Sequence, residues 1–207
     1  PSFYPDGEYD LAGFAVGVVE RKKVIDGKRI RPGDVLIALP SAGLHSNGFA
    51  LARRVLLEHA RLPLDRPAPG LRTTLGTELL RPTRIYVRAV RDLLHRLPAG
   101  AVRGMAHITG GGLPGNLPRV LPKNCRAVVR RGSWRVPAIF TLIQRLGNVP
   151  RDEMDRTFNN GVGFVLVLQA SHATRALAHL RKMRTGACII GTVARGTRGL
   201  AFADGDA

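Results

Sequence analysis

Cysteine, aromatic residues and acid are what this chain has least of. Two cysteines in 207 residues, Cys125 and Cys188, cannot build a disulfide framework, and no Cys/His cluster has the spacing of a zinc site. A reducing cytoplasm fits that usage. One Trp, three Tyr and seven Phe, not interleaved with the arginines, leave no row of rings for stacking single-stranded nucleic acid. No apolar run approaches the roughly 20 residues that cross a bilayer. The opening Pro-Ser-Phe-Tyr-Pro-Asp-Gly is polar and turn-rich, with neither a secretory leader nor an initiator Met, so we expect that further sequence precedes Pro1 in the parent gene or has been cut away.

The deficit of acid is the loudest of these: 15 Asp and Glu face 32 Lys and Arg, a formal net charge of +17. Such a field attracts nucleic acid, acidic membrane surfaces or phosphorylated metabolites. The arginines are spread along the chain, and clusters such as Arg130-Arg131-Gly132-Ser133-Trp134-Arg135 are too short for a basic tail. They read as a solvated face.

What is present is a core-forming chain, 44% hydrophobic, sized for one substantial domain. Residues 1–10 read as a linker and residues 11–207 as an α/β domain. Strands are expected at residues 11–19, 35–39, 126–130, 164–168 and 188–193, apolar, β-branched runs bounded by turn residues, and residues 102–106 read as a short apolar segment. Residues 196–207 read as a weak strand or frayed tail. Helical spacing is seen from Leu51 through Val55 and Leu56, and after Pro82, which is expected in a first turn. It recurs over residues 134–146 and over residues 171–183, where Ser171 is the expected cap. His59 and His95 fall at solvent-facing helix ends, and Trp134 and Phe140 read as packing residues.

Three loops stand out. Residues 40–49, Pro-Ser-Ala-Gly-Leu-His-Ser-Asn-Gly-Phe, connect a buried strand to a helix that Ser46 or Asn47 could cap. His107-Ile108-Thr109-Gly110-Gly111-Gly112 adds an imidazole and a hydroxyl to glycines that let a ligand reach main-chain N–H groups, and a short helix is expected at residues 116–120. Residues 151–163 are polar, end in an Asn160-Gly161 turn, and read as a third loop at a sheet edge.

Taken in order, Glu8-Tyr9-Asp10-Leu11-Ala12-Gly13-Phe14, Gly33-Asp34-Val35-Leu36-Ile37-Ala38, Gly43-Leu44-His45-Ser46-Asn47-Gly48-Phe49, Pro82-Thr83-Arg84-Ile85-Tyr86, the His107 to Gly112 motif and Glu153-Met154-x-Arg156-Thr157-Phe158-Asn159-x-Gly161 closely resemble the phosphoribosylformylglycinamidine cyclo-ligases, the aminoimidazole ribonucleotide synthetases of purine biosynthesis, over residues 1–193. The resemblance implies an α/β (α+β) fold, a mixed β-sheet packed with helices like that family's C-terminal domain. It also implies an ATP-dependent ring closure: the formyl-amide oxygen of formylglycinamidine ribonucleotide is phosphorylated, an amidine nitrogen attacks, and phosphate leaves.

ATP and Mg2+ are implied as cofactors, with their acidic ligands in an N-terminal ATP-binding domain absent from this chain. That domain and a homodimer are the implied partners. On the matching positions, the resemblance implies a proton-transfer or electrostatic role for His107. It assigns phosphate or substrate contact to His45, Ser46, Asn47, Gly48, Thr109, Gly110, Gly111 and Gly112, and a substrate-orienting or domain-bridging role to Asn159; no metal ligand is assigned. Asp155 departs from the pattern, which usually has an aromatic residue there. Alternatives left open are an inactive or split-gene fragment needing a separate N-terminal half, a formylglycinamidine ribonucleotide synthetase or selenophosphate synthetase of the same superfamily, and, more weakly, a basic nucleic-acid-binding module.

Overall fold

Strand β1 (Val35–Pro40) is the middle of the molecule, and its continuous apolar run is buried on both faces as its composition demands. The computed structural model describes Gly7 and residues 11–203; most of the expected 1–10 linker and the end of the tail lie outside the described residues. The other strands are β2 (Val102–His107), β3 (Cys125–Arg130), β4 (Val162–Leu168), β5 (Cys188–Arg195) and β6 (Gly199–Ala203). They form one six-stranded sheet in the order β2-β4-β1-β5-β3-β6, antiparallel throughout except for the parallel β3–β6 pair.

Alternation along the strands sorts the core. Leu36, Ala38, Val165 and Val167 enter one apolar cluster with Ala127, Val129 and Ile190. Their neighbours Ile37, Leu39, Leu166 and Leu168 enter another, beneath helices α3 (Val87–Arg96) and α7 (Ala170–Lys182). A third cluster joins α1 (Phe49–Arg53), which runs into a wider turn at Arg54–His59, to α2 (Leu75–Leu79), α5 (Ala138–Leu146) and α6 (Arg151–Thr157). Phe140 and Phe158 stack there with ring centroids 5.7 Å apart. α4 (Gly112–Asn116) and the following tight turn Leu117–Val120 lie against the first cluster. Among the described residues no helix is long and apolar enough to cross a membrane.

Several expected elements are corrected. Residues 11–19 form no strand: a strand exists through its ladder, and none of the described strands pairs with this segment, so Phe14 (95% exposed) and Val18 (101%) face solvent. Pro82 lies outside α3, which starts only at Val87 because the preceding residues are tied down by Arg84 and Tyr86. α5 starts at Ala138, since Pro137 bars Val136 from helical geometry. α7 begins at Ala170 after Gln169, so Ser171 sits inside its first turn and is not the cap. The loop expected at residues 151–163 is in its first half α6, supported by Asp152 and Glu153 in the first turn and an Asp152–Arg156 ion pair (2.9 Å). The helix expected at residues 116–120 begins earlier, at Gly112 itself.

Candidate functional site

Topology brings the three loops together. β1 and β2 each run antiparallel to β4, which lies between them, so their carboxyl ends emerge at the same sheet edge, beside the start of β4. The ladder shifts register between Leu39 and Pro40, and the chain then turns through residues 41–48. Here His45 (φ 56°) and Ser46 (φ 58°) both adopt the left-handed conformation, followed by Gly48 (φ 72°) at the start of α1. Such backbone strain in non-glycine residues costs on the order of 1 kcal/mol each and needs support from the surroundings. Neither Ser46 nor Asn47 caps α1; Gly48 occupies that position.

The support comes from Asn159 and His45. Asn159, 1% exposed, accepts through Oδ1 from the Ser41 hydroxyl and the Gly161 N–H (both 2.8 Å), and donates from Nδ2 to the Gly43 (2.9 Å) and Leu44 (3.2 Å) carbonyls. Its amide is thus fully engaged within the fold. His45, 3% exposed, accepts through Nε2 from the Ala42 N–H (2.8 Å) and the Arg84 N–H (3.2 Å). Two donors aimed at one ring nitrogen require the neutral ring with its proton on Nδ1, which is buried without a partner among the described residues. Burial, then His107 and Arg84, push its pKa from 6.5 down to about 4.

Asn47 joins the first loop to the second. Its Oδ1 accepts the Gly110 N–H (2.8 Å), while its Nδ2 donates to the His45 carbonyl. Asn116 shapes the glycine loop from below. Its Nδ2 reaches the Gly112 (2.8 Å) and Gly110 (3.1 Å) carbonyls, and its Oδ1 accepts from the Thr109 hydroxyl (3.2 Å). The glycines have different reasons to be glycine. Gly111 has φ 93° and its N–H has no partner among the described residues, whereas a methyl on Gly112 would overlap the Asp155 carbonyl oxygen. Ser46, His107 and Gly110 are exposed; Thr109, Gly111 and Gly48 are half-buried, and Gly112 is buried.

Tyr86 links the two histidines. Its ring lies 6.2 Å from that of His45 and 6.0 Å from that of His107, and its hydroxyl, pushed by burial up to about 12, donates to the Pro40 carbonyl (3.0 Å). Gly163 makes room for it, since a methyl there would overlap the Tyr86 oxygen. Tyr86, Arg84, Ser41 and Asn116 were not among the candidates read from the sequence. The Pro82 to Tyr86 motif was the available signal for the first two; nothing local marks Ser41 or Asn116.

Asp155 accepts from Arg131 Nη2 (2.7 Å) and from Asn160 Nδ2 (3.0 Å), so a buried ion pair stands where an aromatic residue is usual. Among the described residues no three His, Cys, Asp or Glu side chains are grouped to share a metal ion. The edge offers hydroxyls, one open loop N–H, an amide and an exposed imidazole, a set suited to an oxyanion and to proton transfer.

The family model described as AIR synthase related protein, C-terminal domain, matches residues 31–202. The chain belongs to that family. It is 53% identical over 195 residues to the phosphoribosylformylglycinamidine cyclo-ligase of Citrifermentans bemidjiense, covering 94% of this chain and 55% of that protein. With the enzyme of the same name from Myxococcus xanthus it shares 54% over 196 residues, 95% of this chain and 56% of the relative. It thus spans about half the length of the curated relatives it matches. Among solved structures, thiamine-monophosphate kinase from Stenotrophomonas maltophilia superposes with a TM-score of 0.59 at 19% identity, covering 89% of this chain and 54% of that one. PurL of T. maritima, complexed with FGAR, superposes with a TM-score of 0.51 at 17% identity, covering 91% and 28%. At those identities the likeness shows a shared mixed-sheet fold.

Proposed function

We propose that this chain is the substrate-cleft half of an ATP-dependent phosphoribosylformylglycinamidine cyclo-ligase, acting in the cytoplasm with an N-terminal half and as a homodimer. The observation that carries the reading is the bond from the Gly110 N–H to Asn47 Oδ1. It joins the two motif loops at one sheet edge, in a chain about half identical to enzymes of that name. In this reading Thr109, Ser46, Gly48 and the open N–H of Gly111 hold the ribose phosphate of formylglycinamidine ribonucleotide, while the Gly110 and Gly112 N–H groups shape the loop through bonds to Asn47 Oδ1 and the Thr109 carbonyl. Asn47 sets the spacing of the two loops and contacts the substrate beside them. His45 and Asn159 act from beneath as struts, because their hydrogen bonds are made within the protein.

His107, exposed at the end of β2, takes the proton from the attacking amidine nitrogen as the imidazole ring closes. ATP supplies the phosphoryl group that turns the formyl oxygen into a leaving phosphate. In this reading the Mg2+ ligands come mainly from the proposed N-terminal half.

Calorimetric titration of the chain with formylglycinamidine ribonucleotide tests this, with a DNA oligomer at two salt concentrations as control. The expected result is saturable 1:1 binding that Asn47→Ala and Thr109→Ala each weaken by about 10- to 100-fold, the worth of a hydrogen bond to a charged group. His107→Asn should leave the affinity within about threefold, since proton transfer is not a binding contact. Binding that neither loop variant changes sinks the reading. A salt-sensitive DNA interaction with no ribonucleotide binding would favour the nucleic-acid module instead.

A further inference from the structure

At the opposite end of the sheet lies a second cavity that the reading above does not use. It is walled by the residues entering β1 and β2 and by the link from β4 to α7, and encloses about 390 Å³. β1 and β2 are six residues long, so it sits roughly 20 Å from the glycine loop. Its polar lining is Arg29, Arg31, Arg103, Gln169 and His172, with Gly100 between them, and no carboxylate lines it.

The arrangement is built rather than incidental. Arg103 is almost fully buried and fixed by its Nη1 on Asp34 Oδ1 (2.6 Å), and Asp34 Oδ2 in turn accepts the Arg31 N–H (3.0 Å). The two long walls are stitched by the Gln169 N–H to the Ala101 carbonyl (3.0 Å). Gly100, at φ 86°, leaves space for the Arg29 guanidinium, whose Nη1 would lie 2.8 Å from a methyl placed there.

Asp34 neutralises one of the three guanidinium groups from behind. The side chains of Arg29 and Arg31 make no ion pair among the described residues, which leaves the cavity cationic. A volume of this order is that of a small-molecule site. Two unpaired guanidinium groups on one rim, with a third at the wall, match a ligand carrying adjacent phosphates, since planar N–H forks bind such oxygens in pairs.

We propose that this cavity binds a small molecule with two adjacent phosphate groups, independently of the glycine-loop site. The test is a titration of the chain with pyrophosphate at about 150 mM salt, followed through the backbone amide resonances of Gln169 and His172. Parallel arms use orthophosphate and ADP, together with Arg29→Ala/Arg31→Ala and Asn47→Ala/Thr109→Ala double variants. The expected result is saturable movement of those resonances by pyrophosphate, weakened tenfold or more in the arginine variant and unchanged in the loop variant. Both arginines are exposed, so the arginine variant should keep the parent's urea midpoint, which confirms folding.

Tighter binding of ADP than of pyrophosphate would identify a nucleotide as the source of the phosphates, and equal or weaker binding the inorganic ion. Resonances that do not move, or that move equally in the arginine variant, overturn the proposal. So does orthophosphate binding as tightly as pyrophosphate.

Discussion

His45 shows how a single residue can make a loop depend on pH. An unfolded imidazole takes up a proton near 6.5, while the folded one resists until about 4 because burial, then the nearby His107 and Arg84, disfavour the charged ring. The folded pKa is the lower one, so its contribution is complete above pH 6.5 and is lost as pH falls towards 4. At about 1.4 kcal/mol for each pH unit, up to roughly 3 kcal/mol is at stake. Urea unfolding at pH 7.5 and 4.5 should show this loss in the parent. A clearly flatter profile is expected in His45→Asn, since asparagine tolerates the left-handed backbone; equal slopes would show that other groups govern the acid limb. The fit of Tyr86 is testable in the same way. Gly163→Ala should cost about 1 to 3 kcal/mol by overpacking, and combining it with Tyr86→Phe should recover part of that loss, because the overlap is with the phenol oxygen. Thermal unfolding of the single and double variants measures the coupling.

At the scale of elements, α4 and α6 are held together by a missing side chain. A Cβ at Gly112 would overlap the Asp155 carbonyl oxygen and lie 2.5 Å from that of Phe158, at φ 56°, whereas at Gly115 it would meet nothing within 4 Å. Gly112→Ala is therefore expected to cost about 3 kcal/mol or more, while Gly115→Ala, within the same helix, should be neutral or stabilising by up to about 1 kcal/mol. Chemical denaturation of the two variants gives the contrast, and comparable losses would show that α4 is not clamped through Gly112. The Arg131–Asp155 pair ties the end of β3 to α6, and Trp134 adds a bond from Nε1 to the Asn160 carbonyl (2.8 Å). Asp155→Asn should destabilise by roughly 1 to 3 kcal/mol, the worth of a charge-assisted hydrogen bond at a largely buried site. A stability unchanged within error would mean that Asn160 and Trp134 alone hold this corner.

For the molecule as a whole, the apolar segment of residues 11–19 is the exposed liability. Phe14, Val16 and Val18 face solvent, next to a domain whose family match begins only at residue 31. An exposed apolar stretch of this kind promotes association. Phe14→Ser/Val18→Ser is expected to lower concentration-dependent self-association in sedimentation velocity while leaving the melting temperature within about 1 °C. Undiminished association would place the sticky surface elsewhere, the groove beside Ile85 and Val87 being the next place to look.

The courses of β1, β3, β4 and β5, and the three polar loops that meet at one sheet edge, were legible along the chain, because alternating or continuous apolar runs and Gly/Asn-rich turns are local signals. The sequence also carried the family, since the motif order survives in one dimension. Which loop residues face solvent emerges only once the chain is folded. Asn159 and His45 look like ligand contacts in a string of letters, yet both point inward: Asn159 bonds Ser41, Gly43 and Leu44 across loops that meet only when β1 and β4 pair, and His45 accepts the distant Arg84 N–H. The same holds for residues 11–19, whose β-branched pattern is that of a strand and whose exposure is not, since a ladder needs a neighbour that no local pattern supplies.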